Sequence, residues 1–348
     1  MAGRMMPGGM TSSRVLMVLV VLMSMMSSRF VEAVIPLKYN YYAMSCPQAE
    51  SIIRAKMTEI FNTADPLQPD VGPNVAPDLL RLHFHDCFVQ GCDASVLLAG
   101  AGTEMTAAPN ARLEGFGFVD EIKTALEAAC PGVVSCADLL AFAARDAVWL
   151  TAPLANKALA DYAVPAGRRD GLTSPANLAV RNLPTPTMSV DQLTANFRRQ
   201  KLTRTDMVVL SGAHTIGDTA CHHIDNRLYT FKSKNKVDPS LPPAFVIQLK
   251  AICTSPGLQL ITVDMDQVTP LTFDRQFYSN LQAKKSVLSS DQILFKDTRT
   301  RPTVNRLARS TSVFIREFAK AMVKMGNIGT LRGTAGQVRT DCKFVNAP

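Results

Sequence analysis

Residues 81–95 read Arg81-Leu82-His83-Phe84-His85-Asp86-Cys87-Phe88-Val89-Gln90-Gly91-Cys92-Asp93-Ala94-Ser95, and several kinds of chemistry share this one stretch. From Pro77 to Phe88 the chain opens with proline, which suits a first helical turn, and continues with Leu79, Leu80, Leu82 and Phe84. That spacing predicts a helix. On it Arg81 and His85 stand four apart and share a face. A guanidinium beside an imidazole suits cleavage of a peroxide bond. The imidazole takes a proton from the near oxygen and returns it to the leaving one, and the arginine stabilises the charge that develops there. The cation also disfavours the imidazolium, which keeps the base neutral. An ordinary surface Arg and His on a helix would show the same spacing. Asp86, Asp93 and Ser95, with Gly91 between them, supply hard oxygen ligands of the kind Ca2+ takes, although not at EF-hand spacing. A solvated turn is the alternative.

Further along, Leu210-Ser-Gly-Ala-His214-Thr215-Ile-Gly217 places a histidine between glycine-bearing turns at a helix end. One ring nitrogen could serve as the single axial ligand of haem iron, against the plain reading of a satisfied core histidine. A ligating histidine needs a partner for its other nitrogen, and Asp291 in Ser-Ser-Asp291-Gln is a candidate. Thr215, Asp266, Thr269 and Asp274 form a second, scattered oxygen set.

The remaining pattern is mostly α. Helices are expected over 47–63, 117–129, 135–150, 189–200, 204–211, 218–231, 243–254, 274–283 and 301–325, joined by long loops at 88–109 and 263–274. Loops of that length are usually functional or pinned, by ions or disulfides for example. The chain has 348 residues, 47% hydrophobic and 19% charged, enough for one large core or two lobes around a shared site. Arg4 and Arg14 flank the apolar run 15–26, and Val31-Glu32-Ala33 offers a small residue for cleavage. Residues 1–33 therefore read as a signal peptide, since the run falls short of the ~20 residues a spanning helix needs. No other long apolar stretch follows, so no membrane association is expected after cleavage. Cleavage removes three positive charges and one negative, taking the net charge from +8 to +6. In an exported protein that excess favours an anionic polysaccharide over nucleic acid. Eight cysteines, Cys46, Cys87, Cys92, Cys130, Cys136, Cys221, Cys253 and Cys342, read as a disulfide framework whose pairing spacing cannot select. A metal site using Cys87, Cys92 and nearby histidines is the alternative. No Cys-x-x-Cys-His occurs, so covalent haem attachment is not indicated.

Together these segments resemble the secreted plant haem peroxidases of class III. The resemblance runs from about Tyr41 to Asn346. Besides the two histidine motifs it rests on Tyr42-Ala-Met-Ser-Cys46-Pro, Val134-Ser-Cys-Ala-Asp138, Gly167-Arg-Arg-Asp170 and Met322-Val-Lys-Met-Gly-Asn-Ile-Gly329. It implies a single helical domain over 34–348, two lobes with one non-covalent haem b between them, two Ca2+ ions and a monomer. His85 matches the acid–base histidine, Arg81 its arginine partner, Asn110 the asparagine that orients the histidine, and Phe84 a phenylalanine that screens the iron. Glu104 links this pocket to the first ion loop. His214 matches the iron ligand and Asp291 its hydrogen-bond partner. The distal calcium set is Asp86, Val89, Gly91, Asp93 and Ser95, and the proximal set is Thr215, Asp266, Thr269, Thr272 and Asp274. The implied disulfides are Cys46–Cys130, Cys87–Cys92, Cys136–Cys342 and Cys221–Cys253, and Asp138 with Arg168 forms a buried ion pair. Pro184 matches a residue whose carbonyl helps hold phenolic donors. The implied activity is reduction of hydrogen peroxide with one-electron oxidation of phenolic donors, in the cell wall or extracellular space, for phenolic cross-linking, lignification or peroxide removal.

Some positions depart from the family pattern. Tyr162 stands where a tryptophan is usual, and the segment from Trp149 to Ala160 is about six residues longer than usual, which reads as a remodelled surface loop. Lys201 replaces a helix-ending glycine, so a different turn is expected there. His222 and His223 stand at positions that approach the haem edge in the family; they are candidates for tuning donor choice or its pH dependence, with variable access-channel residues as the alternative. No Asn-x-Ser/Thr sequon occurs, so N-glycosylation is not expected. The competing reading is a catalytically silent haem- or calcium-binding wall protein, whose signature would be loss of Arg81, His85 or His214.

Overall fold

The computed structural model describes Gly3 and residues 36–63, 72–233 and 236–347. Apart from Gly3, the expected signal segment lies outside the described residues. Contacts divide the chain into Met1–Pro36 and Leu37–Pro348, and the account below concerns the second unit. It is mainly helical, with fourteen α-helices among the described residues.

Helix α1 (Ala49–Phe61) buries the stripe Ala49, Ile53, Met57 and Ile60. Helix α2 (Val75–Val89) carries the decisive stretch and is buried over most of its surface. It packs on α4 (Cys136–Thr151), and α1 packs on both α4 and α3 (Phe116–Ala129). The start of α4 is held by side chains rather than by a simple loop. Ser135 Oγ accepts from the Asp138 amide, and the Asp170 carboxylate accepts from the amides of Cys136 (3.2 Å) and Ala137 (2.9 Å). These amides would otherwise be orphaned at the positive end of the helix dipole. Asp138 in turn takes the Tyr42 hydroxyl, the Gly167 amide and the Arg168 guanidinium, each at 2.7 Å. Two short helices, α5 (Lys157–Ala160) and α6 (Ala176–Asn182), lead to a second group. This comprises α7 (Val190–Arg199), α8 (Arg204–Leu210), α11 (Gln276–Gln282), α12 (Ser289–Lys296), α13 (Arg301–Leu307) and α14 (Thr311–Met325). Here α8 packs on α14, and α11 packs on α12 and α13. One hydrophobic core runs through both groups. A satellite core lies under residues 221–288, around Ile224, Phe245, Leu249 and Val263, with α9 (Asp225–Leu228) and α10 (Pro243–Ile252).

Several expectations are corrected. The segment 218–231 is not one helix. Strand β1 (Asp218–Ala220) pairs antiparallel with β2 (Thr262–Asp264), and a 3-10 turn (Cys221–Ile224) then precedes α9. Gly217 at φ 81° ends the preceding turn, and the Cys221–Cys253 disulfide and the Cys221 amide on the Ile261 carbonyl (2.9 Å) hold the strand in place. The segment 301–325 breaks into α13 and α14 because the Ser310 hydroxyl caps the second helix through the Val313 amide. Helices α5, α6 and α12 were not anticipated. The loop 88–109 is better anchored than its composition suggests, with Ala94, Val96, Leu97 and Leu98 buried and three 3-10 turns along it.

The enlarged 149–162 segment is ordered rather than a bare surface loop. Lys157 donates to the Trp149 and Leu150 carbonyls and lies 4.6 Å from the Trp149 ring centroid, and Arg54 is 4.8 Å from the same ring. Asn156 donates to Ser312 Oγ at 2.7 Å. Tyr162, with His83, Arg168 and Met322, lines a cavity of about 10 Å3, roughly room for one water. Lys201 keeps the left-handed conformation (φ 61°) that a glycine would adopt, so the turn is retained and the lysine carries the strain.

Candidate active site

Arg81 and His85 do share a face of α2, with Arg81 Nε donating to His85 Nε2 at 3.3 Å. His85 Nδ1 lies 2.7 Å from Asn110 Oδ1, and Asn110 Nδ2 donates to the Glu104 carbonyl at 2.8 Å. That second bond fixes which end of the amide faces the ring. Oδ1 can only accept, so Nδ1 carries the proton and Nε2 presents the lone pair. Burial, then the Arg81 charge, hold the His85 pKa down to about 3, against a smaller lift from Asn110. The imidazole is therefore a neutral base whose Nε2 lone pair is directed to the Arg81 side of the ring. Phe84 stands edge-on to His85 (5.6 Å) and against Phe88 (4.3 Å).

His214 sits in the 3-10 turn that follows α8, and its Nδ1 meets Asp291 Oδ2 of α12 at 2.9 Å. Burial lowers its pKa, but the Asp291 charge and hydrogen bond outweigh it, so the net shift is upward. Nε2 is left open, and the side chain is 41% accessible although it lies within the protein, so it faces an internal cleft. Arg81 acts electrostatically on His85 and on His214, which puts its guanidinium within reach of both rings.

Two oxygen-rich clusters flank these histidines. In the first, Asp86 Oδ2 accepts from the Ala94 amide and Asp93 Oδ1 from the Ser95 amide, while Asp86 Oδ1 and Glu104 Oε2 are buried with no partner. Burial raises the pKa of Asp86, and Asp93 and Glu104 raise it further. Burial also raises Glu104 to about 7, with a further lift from Asp93. Buried carboxylates that repel one another and leave oxygens unpaired fit the donor set of a bound cation. The Val89 and Gly91 carbonyls accept from Asn182 Nδ2 (2.7 Å) and the Asp93 amide (2.8 Å), each keeping a second lone pair. In the second cluster, Thr215 Oγ1 is 3.4 Å from both Asp266 Oδ2 and the Thr272 carbonyl. Thr269 Oγ1 is 3.5 Å from Asp266 Oδ2 and 3.4 Å from Asp274 Oδ1. These long contacts gather five residues around one point. Burial raises Asp274, and Asp266 adds to the shift.

All four disulfides have the implied pairing. The sulfurs of Cys87 and Cys92 are bonded to each other, so they offer no thiolate to a metal, although the His83 ring lies 3.8 Å from Cys87 Sγ. Asp138 and Arg168 form the implied buried pair. Pro184 is partly exposed on a loop tied to α12, where Ser289 Oγ donates to the Pro186 carbonyl at 2.9 Å. Sequence reasoning missed Arg339, a buried guanidinium that donates to the Ala94 carbonyl (2.5 Å) and feels Asp170, Asp86 and Asp93. It also missed Arg112, whose carbonyl accepts from Arg81 Nη1 at 2.9 Å. No local pattern marks either residue.

The family model described as Peroxidase matches residues 53–310. Peroxidase 71 of Arabidopsis thaliana is 45% identical over 309 residues, covering 89% of both chains. Peroxidase 62 of the same plant is 43% identical, over 89% of this chain and 92% of its own. Peroxidase 5 of Vitis vinifera is 42% identical over 322 residues, covering 91% of this chain and 94% of its own.

Proposed function

This chain belongs to the peroxidase family, and from that premise we propose that Arg81, His85 and Asn110 are its peroxide-cleaving residues and that His214 is its iron ligand. The enzyme is a haem peroxidase that reduces hydrogen peroxide and oxidises donor molecules. The observation that carries the residue assignment is the hydrogen-bond chain Glu104–Asn110–His85–Arg81, which leaves one neutral nitrogen beside one cation. His85 Nε2 accepts a proton from the entering peroxide and later delivers it to the departing oxygen, while Asn110 keeps the ring in the productive tautomer. Arg81 stabilises the negative charge on the departing oxygen. His214 would hold the haem through Nε2, and Asp291 strengthens that nitrogen by accepting from Nδ1. Haem held by His214 would supply the redox chemistry that couples a two-electron oxidant, peroxide, to one-electron donors.

The first oxygen cluster, Asp86, Val89, Gly91, Asp93 and Ser95, would hold one Ca2+, and Thr215, Asp266, Thr269, Thr272 and Asp274 a second, in the non-EF-hand manner of hard oxygen donors. The orphaned oxygens and raised carboxyls support the first site. Asp86 and Thr215 each follow a pocket histidine directly, so each ion would brace one. Donors are phenolic, with Pro184 at their approach. Residues 1–33 direct export, and the mature domain works as a monomer outside the cell, in wall cross-linking, lignification or peroxide removal. Among the described residues no helix is long and apolar enough to cross a membrane, and the net positive charge suits anionic wall polysaccharide.

The test is rapid mixing of haem- and calcium-loaded protein with one equivalent of hydrogen peroxide, beside His85→Leu. A fast change in the haem spectrum, slowed about 10²- to 10⁴-fold in the variant, is expected. A normal resting spectrum with no reaction in either protein would favour a silent haem-binding protein instead.

A further inference from the structure

The mouth of this pocket carries a charge pattern that peroxide cleavage leaves unused. Gly217 packs on Pro77, where an added Cβ would lie 2.7 Å from the proline Cβ. Pro77 precedes Arg81 by about one turn of α2, so the chain beyond Gly217 runs beside the Arg81 face. Thr219 Oγ1 then meets His223 Nδ1 at 3.0 Å, and the His223 and His222 rings stand 4.0 Å apart. On the other side, Asn226 donates to Ser289 Oγ at 3.3 Å, and Ser289 donates to the Pro186 carbonyl. The histidine pair is thus strung between the Arg81 face of α2 and the loop that holds Pro184. Arg112 borders the same space through its carbonyl bond to Arg81. Its guanidinium is partly exposed and has no hydrogen-bond or ion-pair partner among the described residues.

The surroundings of His223 have one sign. Burial lowers its pKa to about 4, and the charges of His222, Arg81 and Arg112 all push it the same way. Asp78, Asp218 and Glu114 act on Arg81, whereas the charges that act on His223 are all positive. The ring therefore stays neutral near pH 6, and the lasting positive charge at the mouth belongs to the arginines. Arg81 serves the peroxide, which leaves Arg112 for another anion.

We infer that the mouth selects aromatic donors bearing a carboxylate, with Arg112 pairing with the carboxylate and the His222–His223 pair lying against the aromatic ring. A phenolic acid anion would then be preferred to a neutral phenol of the same shape. This deepens the peroxidase reading and rests on it for turnover.

The probes are 4-hydroxycinnamate and its methyl ester, which share a ring and a phenol and differ in charge. For the loaded wild type, kcat/KM should favour the acid, and added salt should reduce that preference. Arg112→Gln, which keeps the backbone carbonyl, should lower the acid-to-ester ratio about fivefold, mainly through KM, as expected for a partly exposed ion pair. Calorimetric binding of the acid to the resting protein should weaken by the same factor, and binding of the ester should not. An unchanged ratio in Arg112→Gln, equal fates for acid and ester in the wild type, or a loss shared by both donors would overturn the inference. If the wild type does not react with peroxide at all, the peroxidase reading fails separately, and the calorimetric pair still decides the binding claim.

Discussion

Replacing Asn110 by valine removes the oxygen 2.7 Å from His85 Nδ1 and the amide that holds that oxygen in place through Glu104. The site is buried, so no water replaces the lost acceptor without rearrangement. A buried donor left unpaired costs about 1–3 kcal/mol. The penalty matters most when Nε2 has taken the peroxide proton, because both ring nitrogens are then donors and Nδ1–H has nowhere to point. If the whole penalty falls on that state, the reaction with peroxide slows about 5- to 160-fold, at 1.36 kcal/mol per decade. The freed ring can also take the other tautomer, which offers no lone pair to peroxide, and that adds in the same direction. The ceiling is His85→Leu, which removes the base and loses about 10²- to 10⁴-fold. The assay is the second-order rate constant from stopped-flow mixing of loaded protein with peroxide, with circular dichroism and haem content confirming a folded, loaded variant. The rates should order as wild type, then Asn110→Val, then His85→Leu. A rate for Asn110→Val within twofold of wild type would refute the orienting role, and a rate equal to His85→Leu would show that Asn110 does more than orient.

Three other outcomes follow from the geometry. Glu104 is raised from 4.5 to about 7 when buried without an ion, so the folded state holds a proton that the unfolded state has lost. Its stabilising contribution is present below about pH 4.5 and is lost as pH rises towards 7, by up to about 3 kcal/mol. The gain in Tm on adding calcium to stripped protein should therefore grow between pH 4.5 and 7. This difference cancels the opposite trend from His83 and His85, and a gain that shrinks with pH would count against a cation there. Asp138→Ala strands Arg168, buried and deprived of its 2.7 Å partner, and should destabilise by about 3–5 kcal/mol in denaturant unfolding. Lys201→Gly relieves a lysine held at φ 61° and should raise stability by about 1 kcal/mol in the same measurement.

What the sequence made legible was local. Arg81 and His85 are four apart on one helix, so the chemistry and the spacing appear in the same window, and the apolar stripe of α1 is equally direct. Asp291 could be named as a candidate partner of His214 although spacing could not show that the two meet, whereas Asn110, Glu104 and the proposed calcium carbonyls carry no such mark. They reach the site across turns and between helices, and only the resemblance to known peroxidases pointed to them. The misreading of 218–231 has a definite origin. Ile224 and Leu228 have helical spacing and are both buried, but a positive-φ glycine and a disulfide to a residue 32 positions away decide the backbone first. Arg339 was invisible because its partners, Ala94 and Asp170, lie more than 160 residues earlier in the chain. The Ser310 break was readable in principle, as a serine three residues before an apolar run.

The end of the chain finishes the beginning. Cys342 bonds Cys136 at the head of α4, the Arg339 amide satisfies Asp170 beside the same helix start, and the Arg339 side chain reaches back to Ala94 in the first ion loop. A growing chain emerges with its N-terminal part first, yet the half that holds Arg81 and His85 lacks these contacts until residues 339–342 have been made. Until then Cys136 lacks its disulfide partner, and Asp170 and Ala94 lack their bonds to Arg339. A chain stopped before Arg339 would have every residue of the proposed peroxide-cleaving set and lack the segment that makes these contacts. Such a product should carry Cys136 as an unpaired thiol, open to a thiol-reactive probe.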